Sequence, residues 1–179
     1  MMNDQAYVYC PHCATPLELR ERFGQVRPIC PACGFVYFQD PKVAVIGFVV
    51  HDEKLLLIRR AVDPAKGKWA LPGGYMDAGE MPDSALRREM REEVGLDIDI
   101  ERLLEIYPMA GPGVDARGIV LAYAAVPANH IDGQPLEAHD DVSEAGWFAP
   151  NEIPDDLAFE STRSLLAAWQ DRRENAGAA

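Results

Sequence analysis

The chain has 179 residues, a formal net charge of −12 and 48% apolar residues, enough for one ordinary domain, or a small module and a medium domain, with a buried core. So acidic a balance argues against non-specific nucleic-acid binding, which rests on Lys and Arg neutralising phosphates. No apolar stretch approaches the ~20 residues needed to cross a bilayer, and Met1-Met2-Asn3-Asp4-Gln5 lacks the basic-then-apolar plan of a secretory signal, so a cytoplasmic protein is expected.

A short tail with one apolar patch, Tyr7-Val8-Tyr9, leads to Cys10-Pro11-His12-Cys13, and sixteen residues later to Cys30-Pro31-Ala32-Cys33-Gly34. Cys10, Cys13, Cys30 and Cys33 are the only cysteines, in two matching Cys-x-x-Cys units. That spacing reads as a tetrahedral Zn²⁺ site. The alternatives are two disulfides, disfavoured in a reducing compartment, or redox-active pairs, which would not need a twin. Some thirty residues bury little surface, so metal would supply the folding energy, and four thiolates leave no open position for chemistry. His12 reads as a bystander. Zinc ribbons often touch nucleic acid. Here Arg20, Arg22 and Arg27 are offset by Glu18 and Glu21, and the linear pattern shows no basic, aromatic-laced face, so a structural or dimer-forming ribbon is expected.

Gln39-Asp40-Pro41-Lys42 punctuates a boundary, giving a ribbon with its tail over 1–39 and a second domain over 40–179. Val43 to Val50 is a nearly unbroken β-branched run and Leu55 to Ile58 a second apolar run, two buried strands that can pair through the polar turn His51-Asp52-Glu53-Lys54. Arg60, Lys66 and Lys68 could meet phosphate, although solvated loop charges are the default. Trp69 reads as core, ahead of the glycine-rich Leu71-Pro72-Gly73-Gly74. Pro82 suits the first turn of a helix and Gly95 its left-handed stop. Leu86, Met90 and Val94 make an apolar stripe, and Glu89, Glu92 and Glu93 crowd an adjacent acidic one. Like charges at that spacing weaken a helix by roughly 0.2–0.5 kcal/mol a pair. A hard divalent cation, Mg²⁺ or Mn²⁺, would turn the repulsion into attraction. A solvated face eased by Arg88 is the blander reading. The glycine lead-in favours the cation, because it brings bare backbone up to a helix start.

The string Gly74-x5-Glu80-x7-Arg88-Glu89-Met90-Arg91-Glu92-Glu93-Val94-Gly95-Leu96 resembles the Nudix box at every defined position. The resemblance implies an α/β fold, a Nudix α/β/α sandwich with a mixed sheet preceded by a small four-cysteine zinc ribbon. It also implies metal-dependent hydrolysis of a diphosphate linked to a nucleoside. Carried over by position, Glu89, Glu92 and Glu93 are metal ligands, with a glycine carbonyl at Gly73 or Gly74 as a further one. Arg88 orients a glutamate, and Glu80 is a ligand or supporting carboxylate. A ribbon directly before such a domain resembles the bacterial and plastid Nudix hydrolases of NADH- or FAD-like dinucleotides. The Ser-Gln-Pro-Trp-Pro-Phe-Pro string of the NADH-cleaving relatives is absent, which argues against NADH as preferred substrate.

Beyond the box, strands are expected over Leu103 to Met109 and Ile119 to Val126, joined by a loop at the site's mouth. Pro112, sixteen residues past Leu96 and followed by Gly113 and Asp115, resembles the proline of ADP-ribose-cleaving relatives. An ordinary turn explains it as well. Asp141, six residues before Trp147, stands where many relatives carry a glutamate that binds metal or acts as base. It is one methylene shorter, and Glu144 is close by, so the base stays open. Pro154 is expected to introduce a final helix with Leu157, Leu165, Leu166 and Trp169 inward. A base would stack on one of Phe48, Tyr75, Tyr107 and Tyr123, which sequence cannot rank. A small nucleotide is the expected partner, with nucleic acid and membrane disfavoured and a homodimer left open. A nucleotide-sensing regulator and an RNA-cap-type hydrolase are the alternatives.

Overall fold

The computed structural model describes residues 7–109, 118–129 and 136–177, the last four by backbone alone. The chain divides into two compact units, Met1–Pro41 and Lys42–Ala179.

The first unit is two cysteine knuckles around a hairpin. In each knuckle the first cysteine's carbonyl accepts from a left-handed residue four positions on, Ala14 from Cys10 and Gly34 from Cys30. Between them β1 (Glu18–Arg22) pairs antiparallel with β2 (Gln25–Ile29) through the turn Phe23-Gly24, whose φ angles are 53° and 72°. The register overturns one expectation. Arg20 lies opposite Arg27 and two residues from Arg22, so all three arginines share a face, whereas Glu21 opposes Val26 on the other. Glu18 is the one acid on that face of the hairpin, bonded to Arg20 at 2.6 Å, and Gln25 there accepts from Arg27 at 3.0 Å.

The second unit is a six-stranded mixed sheet in the order β5-β4-β3-β7-β6, with β8 added to β4. Its strands are β3 (Lys42–His51), β4 (Lys54–Arg60), β5 (Trp69–Ala70), β6 (Ile98–Pro108), β7 (Gly118–Pro127) and β8 (Val142–Phe148). β3 runs parallel to β7, and the other pairs are antiparallel. In β4 four consecutive leucine and isoleucine side chains are buried. Leu56 and Ile58 join the core under α1 (Pro82–Val94), while Leu55 and Leu57 join that under α2 (Glu160–Gly177). A strand covered on both faces has no polar positions to alternate, and the result is the expected sandwich.

The hairpin of β3 and β4 pairs only at its turn, Val50 with Leu55 and His51 with Lys54. Beyond that β4 leaves to pair with β8, and residues 72–76 take its place along β3. The amides of Gly47 and Val45 donate to the carbonyls of Pro72 and Gly74, and Met76 N–H to that of Val43. A Cβ on Gly73 would lie 2.1 Å from the Val45 carbonyl oxygen, and its φ is 137°. Only glycine fits there.

Two expected boundaries move. β6 begins at Ile98 rather than Leu103, because Ile98 and Ile100 alternate with outward Asp99 and pair with β7. The final helix begins at Glu160, six residues after Pro154, because residues 156–158 first bond along β5: Trp69 N–H to Asp156 and Ala158 N–H to Trp69. Leu157 is buried as expected, but ahead of the helix.

Candidate active site

Helix α1 carries the acids. Pro82 opens it without a side-chain cap, and Gly95 closes it at φ 68°, its N–H and that of Leu96 returning to the carbonyls of Arg91 and Met90. Ala85, Leu86, Met90 and Val94 are buried, and Glu93 is buried with them at 2% exposure. Position 93 lies seven residues from Leu86, on the apolar stripe itself. The acidic stripe is therefore split: Glu93 is inside, Glu89 half-buried and Glu92 in solvent.

Each carboxylate is held differently. Glu93 accepts a hydrogen bond from Gly73 N–H at 2.8 Å. Burial pushes its carboxyl up to about 9, against the lowering effect of that bond, and the charges of Asp141 and Glu89 push the same way. Glu89 is also raised by burial, and by the charges of Glu92 and Asp141, against the pull of Arg88. A Cβ on Gly74 would lie 2.6–2.7 Å from the Glu89 carboxylate, so this glycine leaves room for the acid to lie against bare backbone.

Arg88 is the hub. Its guanidinium forks onto both oxygens of Glu80 at 3.0 Å, reaches Glu89 and Glu92 at 2.8 Å, and bonds the Tyr75 carbonyl at 3.0 Å. The Arg88 bonds hold Glu80 below the usual carboxylate range. One cation thus serves three carboxylates. The fourth side of the site is Asp141, which faces Arg60 at 3.8 Å, while the Arg60 charge also favours ionised Glu93.

The fold brings Gly73, Gly74, Glu80, Arg88, Glu89, Glu92, Glu93, Arg60 and Asp141 together. It separates Glu144, which pairs with Arg59 at 2.9 Å across β4 and β8. Lys66 and Lys68 are exposed. Pro112 lies outside the described residues. Of the four aromatic candidates, Phe48 is core against Trp169, and Tyr107 and Tyr123 pack on the two cores. Tyr75 is 54% exposed, with Lys42 Nζ 4.8 Å above its ring and its hydroxyl 3.6 Å from Met109 Sδ. The sequence signal was alternation: Met76 packs inward, so its neighbour faces out.

The donor chemistry fits hard divalent cations. The charges of Glu92 and Asp141 disfavour ionised Glu89, and those of Asp141 and Glu89 disfavour ionised Glu93, beside open backbone.

A family model described as NUDIX domain matches residues 40–169. The chain belongs to the Nudix family of hydrolases. It is 41% identical to an ADP-ribose pyrophosphatase of Methanocaldococcus jannaschii over 72% of this chain and 73% of that one. It is 28% identical to the NAD-capped RNA hydrolase NudC of Stutzerimonas stutzeri over 92% of this chain, and spans 56% of that Nudix protein's length. A crystal structure of a Nudix hydrolase from Nitrosomonas europaea matches with a TM-score of 0.83 at 28% identity, covering 94% of this chain and 93% of the other.

The Met1–Pro41 unit holds a separate cluster. Its four Sγ atoms lie within 4.8 Å of one another, with Cys10 and Cys33 3.6 Å apart and Cys13 and Cys30 3.4 Å apart. A disulfide would be ~2.0 Å. Tetrahedral 2.3 Å bonds to one ion imply sulphurs about 3.8 Å apart, so these could hold a metal. Amides of His12 and Cys33 point at Cys10 and Cys30 sulphurs, and the His12 ring lies on Phe35, away from the ligand set. Among the described residues no helix is long and apolar enough to cross a membrane.

Proposed function

We propose that residues 40–179 hydrolyse the pyrophosphate of a nucleoside diphosphate-linked compound, ADP-ribose or a dinucleotide such as FAD or NADH. The observation that carries this reading is the burial of Glu93 among Glu89, Asp141 and the Gly73 amide. An acid buried against like charges destabilises the fold unless the site serves a cation. Glu89, Glu92 and Glu93 would hold Mg²⁺ or Mn²⁺, with the Gly73 carbonyl, since that of Gly74 already accepts from Val45. Bound there, such ions supply charge neutralisation of a diphosphate and acidify water.

The protein's own groups do the rest. Arg88 holds Glu89 and Glu92 in place through its anchor on Glu80. A carboxylate, Asp141 or a box glutamate, takes the proton as water oxygen attacks phosphorus; the bridging P–O bond breaks, its electron pair leaving with the other phosphate, and two monophosphates result. Arg60 would meet substrate phosphate on releasing Asp141 and the Pro64 carbonyl, which hold it now. Tyr75 is the exposed ring beside the glycine loop on which a base would stack. The 1–39 segment would bind structural Zn²⁺, in keeping with a reducing, cytoplasmic setting, and a homodimer through it stays open.

The test is turnover of ADP-ribose, FAD, NADH, dinucleoside polyphosphates and nucleoside triphosphates with Mg²⁺ or Mn²⁺. No hydrolysis of any would overturn the proposal and favour a nucleotide sensor. A second reading, action on capped RNA, is favoured by one observation: the likeness to NudC covers 92% of this chain and so reaches into the ribbon.

A further inference from the structure

The ribbon carries a ladder of four planar groups, three of them exposed and Arg27 half-buried. The Arg22 guanidinium lies 5.3 Å from the Phe23 ring, Phe23 stacks on Phe38 at 6.1 Å and 23°, and Arg27 lies 4.9 Å from Phe38. The two rings are 69% and 50% exposed. Arg20 shares the face but is neutralised by Glu18. The opposite face carries Leu19, Glu21, Val26 and Pro28, so cation and aromatic are sorted to one side of the hairpin.

Phe23 is also in the wrong place for stability. Two-residue hairpin turns with both φ angles positive favour Asn-Gly, and a bulky side chain at φ 53° is strained. A strained, exposed phenylalanine gains little by folding. Arg27 donates from Nη1 to Gln25 Oε1 at 3.0 Å, while its buried Nε has no acceptor among the described residues.

We propose that this Arg22-Phe23-Phe38-Arg27 face binds single-stranded nucleic acid, its rings and guanidinium planes stacking unpaired bases and its arginines meeting phosphates. Duplex bases are already stacked on each other and offer no free face. With two unneutralised arginines the binding is weak and salt-sensitive, which is compatible with the net charge of −12.

Full-length, zinc-loaded protein is titrated into fluorescein-labelled single-stranded RNA and DNA bearing 5′-hydroxyl ends, and into the matching duplex, with anisotropy as readout. These probes carry no pyrophosphate, so the result is independent of the hydrolase reading. Saturable binding of either single strand supports the proposal, with the duplex weaker by about tenfold and a log–log salt slope near about −1.4 for two phosphates. Phe38→Ala and Phe23→Asn should each weaken it about tenfold. Phe23→Asn should leave the melting temperature unchanged or higher, which a structural role for the ring would not. No binding at low salt, equal duplex binding, or unchanged affinity in both variants overturns it. A change in molecular mass by light scattering in the variants, with strand affinity unaffected, would assign the face to a second copy of the chain and also overturn it.

Discussion

The two units solve opposite problems. In Lys42–Ala179 a sheet buried on both faces supplies two apolar cores, enough to hold a carboxyl such as Glu93 away from water. Among the described residues of Met1–Pro41, Tyr7, Val8, Tyr9, Leu19, Phe23, Val26 and Phe38 are exposed, Leu17, Ile29, Phe35, Val36 and Tyr37 are only half-buried, and the fully buried hydrophobic groups are Cys10 and Cys30. One unit is folded by its core and can tolerate a buried acid. The other is organised around four sulphurs, which leaves Tyr7, Tyr9, Phe23 and Phe38 on the surface.

The largest test of that contrast is metal removal. Chelation, or Cys30→Ser, should forfeit the roughly 10–16 kcal/mol typical of a structural zinc. Amide protection over residues 10–33 should vanish, while Lys42–Ala179 keeps its own transition and most of its turnover on small substrates. A single shared transition lost on chelation would break the comparison. Next, Met90→Ala should destabilise the second unit by about 2–5 kcal/mol, seen in denaturant melts, with no change in zinc content.

Glu93→Gln sharpens it further. Turnover should fall by at least about 10²-fold, because a charge is removed from the cation site. The metal-free protein should respond in the other direction. The native carboxyl titrates at about 9 because burial favours the neutral form, and unfolded glutamate near ~4.3. Native protein therefore holds the extra proton through that window, and its stability declines as pH rises from about 4.3 to 9. Glu93→Gln should flatten that decline and stabilise the metal-free form at neutral pH by roughly 1–3 kcal/mol, measured by melts in chelator at several pH values. At the small end, Glu144→Gln should change stability by less than ~0.5 kcal/mol and leave turnover intact, since Glu144 is exposed and Arg59 keeps its bond to the Gly67 carbonyl. Asp141→Asn should slow turnover severalfold or more. The reverse pattern would exchange their roles.

Much of this was legible in the chain. The Pro82 start, the Gly95 stop and the Leu86, Met90, Val94 stripe are local signals, and local signals survive folding. The burial of Glu93 was written in its i+7 distance from Leu86, though charge type invites the opposite reading. The separation of Asp141 from Glu144 was not legible, because it depends on the pairing of β8 with β4, a contact between distant segments. Nor was the arginine face of the ribbon. Summing charges along Glu18 to Arg27 cancels them, whereas the antiparallel register sorts them by side. The start of α2 was missed because the 156–158 segment is claimed first by Trp69.

The replacement of a strand by residues 72–76 along β3 has a mechanical outcome. Val45 and Gly47 donate to a loop as though to a neighbouring strand, so their amides should exchange with solvent as slowly as those of a sheet interior. The glycines beneath the acids consequently inherit the stiffness of the sheet: their cradle is clamped to its middle strand.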